Sequence, residues 1–234
     1  MERELRKSHI IPEFLYKTIY DYRHRLHQLS RIPDQPNQLR QKGYYERLLC
    51  GDCEAKISKW ERHASRVLQG GIELTWERYG NVLVIQGFDY PSLKLFQLSV
   101  LWRSAVAKGQ FFERVRLTLA EKERLRVMLQ TDNPGSTETF GCLMWGLKHD
   151  GAVVKDLIVQ PTSVKVEGYK CFRFTFGGVL WLFFPSSFRG SEHIRNAFLQ
   201  DYGEAVLIVK PLTQAKFIMD AGAELIEMGR LTKT

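Results

Sequence analysis

The chain has no apolar run approaching the roughly 20 residues that span a bilayer. Its most apolar stretch, Val179 to Phe184, is far shorter, and the segment from Met1 to Lys7 is charged with no apolar run after it. Neither a membrane span nor an export leader is expected, so the chain reads as cytoplasmic with no membrane partner. Cysteine is scarce, with four in 234 residues, too few and too scattered for a disulfide framework. No Walker A, Rossmann, helix-turn-helix or Ser-His-Asp pattern occurs, nor any internal repeat or low-complexity tract. Disorder is excluded as well, because apolar residues make up 44% and aromatics 12% of the chain, enough for a sizeable core.

What is present begins with charge. The net charge is +8, and residues 1–70 carry 14 Lys and Arg against 9 Asp and Glu, whereas residues 71–234 carry 20 against 17. The excess of positive charge therefore sits in the first third. A polyanionic partner suits such a segment, since neutralised phosphates supply most non-specific nucleic-acid affinity.

Hydrophobic period and breakers divide the chain. Ser30–Lys42, polar and with two prolines, reads as a loop. A helical stripe at Ile57, Trp60, Ala64 and Val67 stops at Gln69-Gly70-Gly71. Residues 72–87 read as a hairpin with Gly80-Asn81 at its tip. Asp89 is placed to cap a helix over about 91–108 that is apolar nearly all round and hence buried. A second, half-exposed helix covers about 119–130, and Thr131-Asp132-Asn133-Pro134-Gly135 breaks it. Strands are expected at 139–147, 157–159, 163–166, 171–176, 179–184 and 205–210, with Gly177-Gly178 as a tight turn, and a helix over 212–228 closes the chain. Without βα alternation this order predicts an α+β fold, divided as residues 1–70 and an α+β domain of mixed helix and antiparallel sheet over 71–234.

Two short segments carry the candidate chemistry. His9 lies in Ser8-His9-Ile10-Ile11-Pro12, a β-branched segment that Pro12 ends, and Cys50 and Cys53 form a C-x-x-C at the start of the stripe helix, with Glu54 immediately after. A strand bearing His, a long loop, and C-x-x-C opening a helix is the layout of a ββα-metal finger. Cys142 and Cys171 fall in apolar segments and are expected in the core. Glu61 lies seven residues beyond Glu54, about 10 Å along a helix axis, and so reads as a structural or ion-pairing residue rather than a shared ligand. His24, His27 and His63 are further candidate ligands, and Arg103 is expected to be paired inside the fold.

S-H-I-I-P-E-F with L-L-C-x-x-C-E some forty residues later resembles the HNH endonuclease superfamily, in particular small bacterial HNH-like proteins whose motif begins S-H-I-I-P. The segment Lys94 to Arg103 also resembles the stretch downstream of the finger in those proteins. The resemblance is most specific over residues 7–65 and softer to about residue 185. It implies an N-terminal ββα-metal finger with His9 as the general base that deprotonates water, a task an imidazole near neutrality suits. It implies that Glu54, where the family usually has Asn or His, holds a catalytic Mg or Mn ion against the scissile phosphate, and that Cys50 and Cys53 are half of a structural Zn site. The implied partner is DNA, gripped by Lys7, Arg23, Arg25, Arg40 and Lys42. Residues 71–234 would then serve targeting, homodimerisation or docking of a protein partner, as in effectors of mobile elements and phage defence.

Three positions depart from the family pattern. No second C-x-x-C precedes the histidine strand, Ser8 stands where an acidic or His ligand is common, and the middle Asn of the motif has only Asn37 as a candidate. These departures keep a second reading open, a non-catalytic nucleic-acid-binding or interaction protein built on a degenerate HNH finger.

Overall fold

A computed structural model of the chain describes residues 4–232. In chain order its elements are β1 (Arg6–His9), β2 (Leu26–Gln28), β3 (Gln38–Arg40), β4 (Tyr45–Leu49), α1 (Gly51–Leu68), β5 (Thr75–Tyr79), β6 (Val82–Gln86), α2 (Tyr90–Val106), α3 (Leu119–Gln130), β7 (Cys142–His149), β8 (Ala152–Val153), β9 (Val159–Val166), β10 (Tyr169–Phe176), β11 (Val179–Phe183), α4 (Glu192–Asn196), β12 (Glu204–Pro211) and α5 (Lys216–Glu227). The protein is α+β. One mixed sheet runs in the order β5-β6-β12-β7-β11-β10-β9, with β8 on the end of β7. Its neighbours are antiparallel except β12 and β7, which run parallel with Leu207 opposite Met144. Two small ladders, β1 with β4 and β2 with β3, stand apart from it. Among the described residues no helix is long and apolar enough to cross a membrane.

At its centre the sheet buries both of its faces, which explains why β11 is apolar at every position. Along β10, Phe172, Phe174 and Phe176 point into a core shared with α1, α2 and α3, while Cys171 points to a second core under α5. Each fully buried phenylalanine contributes about 2–3 kcal/mol relative to an exposed one. Cys142 and Cys171 are both buried, as their apolar surroundings predict. α2 is buried nearly all round, and its first turn is capped by Asp89, whose side chain accepts from the Ser92 backbone N–H at 3.2 Å. α3 begins with a reciprocal capping box between Thr118 and Glu121.

The structure moves several sequence boundaries, for local reasons. Ser30–Lys42 is not all loop, because Gln38–Arg40 pairs with Leu26–Gln28; three residues with none buried leave no alternation to read. The two expected strands around Pro161 are one strand, β9, at the sheet edge. Its pairing with β10 skips Pro161 at a bulge, where a missing N–H does no harm. The next strand starts at Cys142 rather than Thr139, since Phe140 takes a left-handed conformation with φ +48°. The last helix starts at Lys216, after a 3-10 turn over Leu212–Gln214.

Lys94 explains how that left-handed turn is held. It is 1% exposed in the middle of α2, and its Nζ donates to the carbonyls of Thr137 and Phe140 at 3.2 and 3.1 Å. Burial pushes its ammonium down to about 8 from 10.5. Below pH 8 the lysine is protonated in folded and unfolded chain alike, and the full burial cost is present. As pH rises toward 10.5, the unfolded chain keeps the proton that the folded chain has shed, so folding is progressively favoured. The unfolding free energy of the native chain relative to Lys94→Met should therefore rise by about 3 kcal/mol between those two pH values, measurable by denaturant titration.

Candidate functional site

β1 pairs antiparallel with β4, with His9 opposite Tyr45, and α1 begins two residues beyond β4. Side chains alternate along β1: Ser8 is buried at 1% exposure, while the His9 side chain keeps 28% of its surface accessible. The ladder continues past His9 through the Ile10 N–H, which donates to the Tyr44 carbonyl at 2.9 Å. Ile10 and Ile11 then anchor the segment in the core. Pro12 cannot extend the ladder, and Glu13–Leu15 form a 3-10 turn. That turn swings Glu13 back, so that its Oε2 lies 2.7 Å from His9 Nε2. Both atoms are buried, and the approach is an ion-pair contact, since neither atom makes a hydrogen bond.

Glu13 gathers further groups. Its Oε1 accepts from the Tyr20 hydroxyl at 3.0 Å and lies 3.5 Å from His24 Nε2. The Tyr20 oxygen in turn accepts from the Gly43 N–H at 3.0 Å, and burial pushes the phenol up to about 12. The Tyr20 and His24 rings lie 4.0 Å apart. His24 sits in the left-handed region, with φ +58°, where a non-glycine residue needs local support. Asp21 supplies it: its carboxylate accepts from the backbone N–H groups of Arg23 and Arg25 and from the Arg25 guanidinium. Those bonds, led by Arg25, hold the Asp21 carboxyl down at about 2. Opposite, a Cβ on Gly43 would overlap the Tyr16 ring, so only glycine lets the chain pass this close to it. Burial raises the Tyr16 phenol well above its ordinary range, and its oxygen accepts from the Tyr44 N–H at 3.1 Å.

Behind the strand, Arg103 of α2 is 2% exposed. It donates to the His9 carbonyl and to the Ser99 carbonyl and hydroxyl, and pairs with Glu61 of α1 at 2.7 Å. Both residues thus take the internal pairing that their positions suggested. On α1, Cys50 is the buried N-cap residue, Cys53 is half-buried against the core, and Glu54 comes next. Glu54 Oε1 is buried with no hydrogen-bond partner, as is His63 Nε2 further along the helix. Burial lowers the His63 pKa, opposed by the nearby Asp89 charge.

The basic residues divide by how they are held. Lys7, Arg23 and Lys42 are exposed, with Lys7 over the Tyr45 ring at 5.4 Å and Arg23 over Tyr22 at 5.2 Å. Arg25 is committed to Asp21, whereas Arg40 lies over the Tyr44 ring at 4.6 Å and donates to Gln28. His27 is an exposed residue of β2. Asn37 accepts from the Ser30 N–H and donates to the Arg230 carbonyl, so its amide clamps a loop to the end of the chain. Sequence reading missed Glu13 and Tyr20; the four-residue spacing from His9 to Glu13 across a proline was the available signal.

Among the described residues no group of three or more His, Cys, Asp or Glu side chains is arranged to hold a metal ion, so no four-ligand zinc set surrounds Cys50 and Cys53 there. Ser8, being buried, adds no ligand. A magnesium-type ion asks less of the protein, being held through one or two carboxylates with water and substrate phosphate completing the shell. The unpartnered Glu54 oxygen fits that lighter demand. Comparisons with family models, curated proteins and solved structures found no match to this chain.

Arg103→Met retains a long apolar side chain but leaves Glu61 without its counter-charge and the His9 carbonyl without its donor. It should destabilise the fold by about 3 kcal/mol, because it strands a buried partner, and thermal unfolding would register the loss. A melting temperature equal to that of the native chain would contradict this role for Arg103.

Proposed function

We propose that residues 1–70 form a ββα-metal module of the HNH type, and that the chain is a metal-dependent endonuclease or nickase acting on DNA in the cytoplasm. One observation carries the reading. His9, on the strand that pairs with β4 ahead of α1, has its Nε2 against Glu13 while its ring stays partly accessible. With a protonated Nε2 facing the Glu13 carboxylate, Nδ1 would be the basic atom able to accept a proton from water. Glu13 would orient the ring and stabilise the imidazolium that forms, with Tyr20 and His24 fixing the carboxylate. Arg103 holds the strand's backbone from behind.

Glu54 would hold the divalent ion, Mg or Mn, which when bound neutralises charge on the scissile phosphate and leaving oxygen. Lys7, Arg23 and Lys42 are exposed and would meet phosphates, and Arg40 is held in a more fixed pose by Tyr44 and Gln28. Arg25 contributes mainly by shaping the loop that presents His24. No step is assigned to zinc. Residues 71–234 would carry targeting, homodimer or partner contacts, and an effector role in phage defence is the setting that suits such a nuclease.

A second reading, a degenerate finger that binds nucleic acid or a protein without cleaving, is favoured by buried Ser8 and by the lack of a three-donor metal cluster among the described residues. Plasmid nicking by the purified chain with Mg²⁺ or Mn²⁺ separates the two. We expect nicking that EDTA abolishes, that His9→Ala lowers by at least about 100-fold, and that Glu13→Gln lowers less. Plasmid that is bound yet remains intact with every metal would establish the degenerate finger instead.

A further inference from the structure

Far along the chain from His9, a cavity of about 410 Å³ opens between the sheet and the start of α5. Its floor includes Trp145 of β7, Arg173 of β10 and Lys210 of β12, and Gln214 and Phe217 stand over it. The Arg173 guanidinium lies 3.3 Å from the centre of the Phe217 ring, and Lys210 Nζ lies 3.8 Å from that of Trp145. Neither cation forms an ion pair among the described residues, whereas Lys216 at the rim is matched by Asp220 at 2.9 Å. Arg173 is half-buried, and desolvation lowers its pKa, a burial that no carboxylate offsets.

We propose that this cavity binds a free nucleoside phosphate. An unmatched, partly desolvated guanidinium and ammonium ask for an anion, and phosphate suits a planar fork and a point charge together. A guanidinium laid flat on Phe217 also offers a planar platform on which a nucleobase can stack. Gln214 supplies both a donor and an acceptor for a base edge. The volume falls in the range of small-ligand sites, large enough for one nucleotide and too small for a folded strand. Lys210 and the edge of the Arg173 fork therefore take the phosphate, and the base stacks on the guanidinium face turned away from Phe217. The site stands apart from the His9 module and does not rest on the cleavage reading.

Isothermal titration of the full chain with AMP, ATP, adenosine and inorganic phosphate tests the assignment. One molecule of AMP or ATP per chain is expected, with adenosine and phosphate each at least about tenfold weaker because each loses half of the recognition. Lys210→Gln and Arg173→Gln should each weaken AMP by about tenfold or more, and Lys210→Gln, on a different strand, keeps the test open where Arg173→Gln impairs folding. Added salt should weaken AMP while leaving adenosine unchanged. The proposal is overturned if no nucleotide binds, if adenosine binds as well as AMP, or if AMP affinity survives Lys210→Gln. A single-stranded oligonucleotide that displaces AMP and binds more tightly would overturn it as well, in favour of a strand-binding groove.

Discussion

A guanidinium with 2% of its surface exposed holds three parts of this protein in register. Arg103 spans from α2 to Glu61 on α1 and to the backbone of His9 on β1. Removing such a charge from water is costly, and the cost is offset only when its donors are matched by well-placed acceptors. Here two carbonyls and a hydroxyl accept its hydrogen bonds, and the Glu61 carboxylate lies against it as counter-charge at 2.7 Å. The His9 strand therefore has one position relative to α1 that satisfies the buried charge, and a slip would strand it. The group with the most chemical potential in the N-terminal segment is fixed by a residue more than ninety positions later in the chain.

The same reciprocity recurs at the opposite end. The Arg230 guanidinium donates to the carbonyls of Ser30, Ile32 and Pro33, and Arg31 pairs with Glu224 at 2.6 Å. The polar loop over residues 29–37 has little apolar surface of its own to bury, so these charge-assisted bonds decide where it lies. The core joins the two regions as well. Ile10, Ile57 and Trp60 belong to the same cluster as Leu93, Phe96 and Trp181. α2, which the sequence makes apolar nearly all round, is buried because it packs against α1, α3 and, through Phe96 on Trp181, the sheet.

Much of the fold was legible because its elements carry strong local signals. The all-round apolar character of α2, the Thr131–Gly135 breaker after α3 and the Gly-Gly turn before β11 each predict what forms. What was missed depends on contacts that no local pattern encodes. β2 and β3 are only three residues each, and Pro161 hides a continuous edge strand whose bulge tolerates it. Of the candidate site, His9 and the helix of Cys50, Cys53 and Glu54 were legible from residue type and spacing. Glu13 was not, because its role appears only when a 3-10 turn folds it back onto His9. The internal fate of Arg103 was readable from its apolar setting, but its hold on the His9 carbonyl was not. The fixing of Arg25 by Asp21 was equally hidden, since a basic side chain in a polar segment looks the same whether it is tied down or free.

At the centre of the proposed function lies a divalent-cation and phosphate site organised around His9, between the β1–β4 pair and the start of α1. Paramagnetic Mn²⁺ titrated into the full chain, with the six histidines tracked by side-chain NMR, probes that site without requiring turnover. His9 and His24 resonances should broaden first, at low metal, while His149 and His193 stay sharp. Broadening that starts at His149 or His193, or that leaves His9 untouched at saturating metal, would contradict a metal site at His9.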